Sequence, residues 1–214
     1  MSAARGVSPK VWGPAGWRML HGFAALTAAK PERLGTYREI VEALEMLLPC
    51  PLCRRNFTTH IQSMGFPADA RGLPFWVYKI HHRANGTRSV PGWTEVKKEY
   101  VSQWAGAAGA ANCNKRWNDI WVFLEAIVET HPGGWYVTRD YTERLGQFFG
   151  GVFRFMELDF NLPEDVRMSR KALRMWLSRL KKKVGVTEEG KSGLASATKC
   201  NSTSVCSIDA RGQI

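Results

Sequence analysis

Apolar positions recur at helical spacing along most of this chain. Residues 14–29 place Trp17, Leu20, His21 and Ala24 or Ala25 on one face, and Pro14 suits a first turn. Residues 31–48 repeat the pattern as a stripe of Leu34, Tyr37, Ile40, Val41, Leu44 and Leu48. Pro31 with Glu32 gives a start signal, and Pro49 gives a stop. Pro51 opens a third helix over 52–64, which puts Cys50 at its N-cap and Cys53 in its first turn. Residues 72–85 predict a fourth helix carrying Trp76, Ile80 and the pair His81–His82, closed by Gly86. A short fifth helix over 93–104 carries Trp93, Val96, Tyr100 and Trp104. No alternating strand pattern of any length occurs, so residues 1–104 predict a small, mostly antiparallel helical bundle.

The run "AGAAGAAN", 105–112, is a composition break and reads as a linker. Helix-like segments continue at 114–129, 137–158 and 164–183, giving an appended α-helical domain over 113–184 and an all-α chain. The segment 164–183 is amphipathic. Leu173, Trp176, Leu177 and Leu180 share one face, and the other face is strongly basic. Residues 185–214 are rich in Ser, Thr, Gly and Lys and lack periodicity, which reads as a mobile tail. That tail holds Cys200 and Cys206.

Composition adds three constraints. With 214 residues and 44% hydrophobic content the chain can bury a core without disulfides. A net charge of +11 attracts polyanions such as nucleic acid, acidic proteins or an anionic membrane face. No export signal and no apolar run of roughly 20 residues is present, which points to a cytosolic chain without a transmembrane segment. Structural disulfides are rare in that compartment, so a close cysteine pair leans towards catalysis or metal.

The pair lies in "LLPCPLCRRNF", residues 47–57. It has three readings: a redox disulfide, half of a zinc site, or two ordinary thiols. Zinc needs four ligands, and the gap between Cys200 and Cys206 is wrong for a second knuckle. His60, His81 and His82 form no matching histidine arrangement, so no metal site is assigned. First-turn amides, the helix dipole, Arg54 and Arg55 all favour thiolate, which suits a reactive pair. The apolar helix before the motif argues against a thioredoxin fold, in which a strand would precede it.

Three blocks occur in order: "WGPAGWRMLHGFA", "LLPCPLCRRNF" and "WVYKIHHRANGTRSVPGW". Together they resemble the Erv/ALR family of FAD-linked thiol oxidases over residues 9–104, just under half the chain. The resemblance implies a four-helix bundle with a short fifth helix, FAD at its mouth, and Cys50–Cys53 as the redox disulfide beside the flavin. It further implies cofactor contacts from Gly13, Trp17, His21, His81, Asn85, Trp93 and Tyr100. Adjacent helical residues point about 100° apart, so of the histidine pair His81 is the one taken to face the flavin. His82, Ala84 and Val90 depart from the family pattern, and Arg83, Arg88, Lys97 or Lys98 could neutralise the pyrophosphate instead. The family's further cysteine after the aromatic position is missing here, so no disulfide is expected to clamp the fifth helix.

The resemblance also implies a reaction. Protein dithiols would be oxidised at Cys50, electrons would pass through Cys53 to FAD and then to oxygen, and hydrogen peroxide would form. Cys200 and Cys206 would act as a mobile shuttle pair, and Cys113 would remain a free thiol. A homodimer through the first helices is implied, with Gly16, Gly22 and nearby small residues permitting close approach. An oxidase of this kind with an unfamiliar α-domain is similar to those of large cytoplasmic DNA viruses, which implies host cytoplasm or virion. Two other readings remain open. One is a basic helical nucleic-acid-binding module with a regulatory cysteine pair; the other is a scaffold whose disulfide is a staple. On either oxidase or binding reading, the basic face of 164–183 is a candidate dock for an acidic partner or nucleic acid.

Overall fold

The computed structural model describes residues 8–86, 91–105, 113–133 and 136–186. These residues form helices α1 (Pro9–Ala29), α2 (Leu34–Leu47), α3 (Pro51–Met64), α4 (Leu73–Asn85) and α5 (Trp93–Ala105). They continue with α6 (Cys113–Glu129), α7 (Arg139–Phe155), α8 (Glu164–Arg167) and α9 (Arg170–Lys183). No strand occurs among the described residues, and the fold is all-α.

Capping chemistry sets most boundaries. Helix α1 starts earlier than its apolar pattern suggests, because Ser8 accepts a hydrogen bond from the Lys10 amide and Pro9 fills the first position. Pro14 therefore lies inside α1 rather than at its start. An interior proline costs about 3 kcal/mol in a helix. Burial of Trp12, Met19, Leu20, Phe23 and Leu26 along the same helix offsets that cost. The expected helix over 164–183 is two helices: Ser169 caps α9 by accepting from the Ala172 amide, and α8 stops at Met168. Thr138 starts α7 in the same way, accepting from the Tyr141 amide at 3.1 Å. Gly65, at φ 62°, ends α3 in a conformation that glycine tolerates.

Helix α1 is the central element. It packs against α4, α5 and α6, while α2 packs against α3 and, most extensively, α7. A single apolar core runs from Trp12 through Val186 and includes residues of both halves. The contact between halves is close. A Cβ on Gly16 would lie 2.8 Å from Phe123 Cε2, and one on Gly151 would lie 2.7 Å from Ile40 Cγ1. Polar pairs edge this seam. Arg18 donates to both carboxylate oxygens of Asp119, at 2.6 and 2.7 Å. Arg33 meets Glu157 at 3.0 Å, and Arg154 meets Glu39. Gly16 and Gly22, expected to admit a second copy, instead receive Phe123 and Trp104 of the same chain.

Candidate active site

Residues 48–53 turn from α2 into α3. Pro51 takes the first helical position and Cys50 the N-cap, with its Sγ accepting from the Cys53 amide at 3.2 Å. Both cysteines are free thiols, half-buried and packed against the core. Between them Leu52 is 57% exposed, an apolar surface directly beside the sulfurs. Burial, then the hydrogen bond and charge of Cys50, push the Cys53 thiol up to about 12. This differs from the thiolate-favouring environment expected at a helix start. Burial outweighs the dipole, and the nearby arginine is otherwise engaged, since Arg54 Nη1 donates to the Met46 carbonyl at 2.9 Å. In the reduced pair Cys53 thus holds its proton at neutral pH.

One turn beyond Cys53, on the same face of α3, lies Phe57. It lines a narrow crevice with Trp17, Tyr37, Val41, Trp76 and Ile80, contributed by the first four helices. The Trp76 indole N–H leaves this wall to donate to the Gly65 carbonyl at 2.5 Å. Every lining side chain is apolar or aromatic, and all but Trp17 are buried, so the crevice is closely packed. Periodicity marks Tyr37 only as a member of the α2 stripe and gives Phe57 no site role. The i+4 spacing of Phe57 from Cys53 is the one signal that could have found it.

The crevice is rimmed by stacked rings. His81 lies flat against Trp17 at 4.2 Å and 11°, and His21 lies flat against Tyr100 at 4.6 Å and 18°. His21 Nε2 and His81 Nδ1 are 3.1 Å apart. Burial lowers His21 to about 3 and His81 to about 4, with the neighbouring imidazole adding to the first and His82 to the second. Both rings are neutral at pH 7, so a single proton joins the two nitrogens.

The remaining candidates sit farther out. Gly13 is half-buried, with nothing within 4 Å of where a Cβ would be. His82 is exposed and tilted against Tyr78 at 6.1 Å, while Asn85 closes α4 half-buried. Trp93 joins Phe75 and Tyr78 in a separate cluster, at 5.2 and 5.5 Å. Lys97 and Lys98 are exposed on α5, and exposed Arg83 donates to Ser63 Oγ at 2.8 Å. Arg88, Cys200 and Cys206 lie outside the described residues, as does the Cys113 side chain. No cluster of potential metal ligands occurs among the described residues, and no helix there is long and apolar enough to cross a membrane.

Three relatives share the same likeness. Over 94 residues the chain is 26% identical to the FAD-linked sulfhydryl oxidases of African swine fever virus isolates Pig/Kenya/KEN-50/1950, Tick/Malawi/Lil 20-1/1983 and Warthog/Namibia/Wart80/1980. The match spans 42% of this chain and 79% of each relative. No family model and no solved structure matches the chain.

Proposed function

We propose that this chain is an FAD-linked sulfhydryl oxidase that forms disulfides in protein dithiols. The observation that carries this reading is a half-buried cysteine pair at a helix start, one turn from an apolar crevice rimmed by stacked aromatic and imidazole rings. The names of the viral relatives support it. The stacked rings of Trp17, His81, His21 and Tyr100 offer the kind of faces on which a flat cofactor ring packs. Trp17, His21, His81 and Tyr100 would hold the cofactor, with Gly13, Asn85 and Trp93 beyond them. His82 would be a further contact, and Arg88, Lys98 or their basic neighbours would meet the pyrophosphate. Bound FAD supplies a two-electron acceptor that passes electrons on to oxygen and yields hydrogen peroxide.

The chain's own part is thiol exchange. A substrate thiolate attacks Cys50 Sγ of the oxidised pair, the S–S bond breaks, and Cys53 takes the electron pair. A second substrate thiolate attacks the substrate sulfur of that mixed disulfide, releasing the substrate disulfide and Cys50. Two substrate thiols thereby lose two electrons and two protons, and the cysteine pair gains the two electrons. Burial favours the protonated form of the departing Cys53. The exposed Leu52 gives an incoming protein segment an apolar foothold beside Cys50. Cys200 and Cys206 would relay electrons from larger substrates, and the site of action would be host cytoplasm or virion.

A second reading rests on α9. Lys171, Arg179 and Lys182 are exposed and make no ion pair among the described residues, whereas Arg174 and Lys181 are tied to Glu129 and Glu125. Such a row suits an acidic partner or a nucleic-acid backbone. One spectrum separates the readings. Absorbance bands near about 450 nm that bleach with dithiothreitol and recover in air support the oxidase. A colourless protein that takes up no FAD and binds DNA in a salt-sensitive way supports the nucleic-acid module.

A further inference from the structure

Two pairs of residues lock α1 to α5 in one register. On α1, His21 and Gly22 are neighbours; on α5, Tyr100 and Trp104 are one turn apart. Tyr100 stacks on His21 at 4.6 Å, and the Trp104 ring lies directly over Gly22. A Cβ added to Gly22 would fall within 2.5 Å of Trp104 Cζ2, and closer still to Cδ2 and Cε2. Carbon atoms need more than an ångström beyond that. The ring has little room to retreat, because Trp104 is 5% exposed and meets Phe23 edge-on at 6.0 Å. A side chain at Gly22 would therefore move α5 away from α1, and Tyr100 would leave His21 with it.

We propose that Gly22 is a positioning residue for the cofactor cradle. It forms the notch that seats Trp104, sets the α1–α5 spacing, and so holds Tyr100 on His21 and His21 against His81. This deepens the oxidase reading and rests on it. The notch also supplies a noncovalent clasp for the fifth helix. Helix propensity alone predicts the opposite sign, since alanine is the better helix former and Gly22 lies in mid-helix.

The test is FAD affinity of the full chain, measured by quenching of flavin fluorescence, for wild type, Gly22→Ala, Trp104→Ala and the double variant. Gly22→Ala is expected to weaken FAD roughly tenfold or more, because a shift of about 1 Å degrades a preorganised site. In the Trp104→Ala background the same substitution is expected to change affinity less than about twofold, since the clash partner is gone. Gly35→Ala, with nothing within 4 Å of its Cβ position, is expected to leave FAD affinity unchanged. Should Gly22→Ala not fold, thermal melting of Gly22→Ala and of the double variant reads the same clash, and a double variant no more stable than Gly22→Ala overturns the notch. Wild-type affinity in Gly22→Ala, or equal weakening in both backgrounds, overturns the notch while the oxidase reading stands. A wild-type chain that binds no FAD overturns both.

Discussion

His21 Nε2 and His81 Nδ1 face each other at 3.1 Å, although 60 residues separate them in the chain. One proton joins the two rings, His21 buried and His81 half-buried, and each is flanked by an aromatic face, Tyr100 for His21 and Trp17 for His81. Desolvation keeps both neutral, so the rim carries no charge at pH 7.

Stability is expected to fall on acidification. Both imidazoles have folded values below the ordinary value of 6.5, at about 3 and about 4. The unfolded chain therefore binds more protons between these values and pH 6.5, and the stabilisation present above pH 6.5 is lost as pH falls through that window. Each histidine contributes a slope of up to about 1.4 kcal/mol per pH unit. His131, also lowered mainly by burial, adds to it. Urea unfolding between pH 7 and pH 4.5 measures the slope. His21→Gln should reduce it by roughly one proton's worth, and an unchanged slope would count against the neutral pair.

Cys53 is expected to alkylate slowly in the reduced protein. With the thiol pushed up to about 12, its iodoacetamide rate should keep rising with pH beyond the range in which a free cysteine levels off, near pH 9. Peptide mass spectrometry at pH 7, 8, 9 and 10 reads this directly. A plateau below pH 9 would rule out the protonating environment.

The Arg18–Asp119 pair should matter more than its surface counterparts. Asp119 is 16% exposed and takes both guanidinium bonds, while Arg139 and Glu143 are both exposed, at 92% and 54%. Asp119→Asn is expected to cost about 1–2 kcal/mol, and Arg139→Ala less than about 0.5 kcal/mol. Denaturant midpoints of the two variants check the difference. Equal midpoints would mean that the seam between α1 and α6 is not held by this pair.

Light scattering on the purified chain, 24.1 kDa per copy, reads whether it pairs, and any pairing is expected to leave Gly16 of α1 buried in the chain's own core. The α1 surface that small residues would offer to a second copy is covered by α6, with Phe123 seated on Gly16. Phe123→Ala should cost about 3–5 kcal/mol, as for other fully buried aromatic truncations. A stable dimer of the unaltered protein would place its interface elsewhere than this face of α1.

Local chemistry determined the helices. The stripe from Leu34 to Leu48, the prolines at 31, 49 and 51, and the glycines after α3 and α4 act within a few residues, and the all-α fold follows from them. The N-cap position of Cys50 was legible for the same reason, since Pro51 fixes where α3 begins. Tertiary structure alone decided the pairings between helices. Asp119 is 101 residues from Arg18, and nothing in the periodicity of either helix names the other. The rank of effects at Cys53 was likewise hidden. A helix start near two arginines reads as thiolate-favouring until packing buries the sulfur and turns Arg54 to a carbonyl. Helical periodicity records which face of a segment is apolar; which other face covers it depends on shape, and Gly22 beneath Trp104 exists only once α1 and α5 have met.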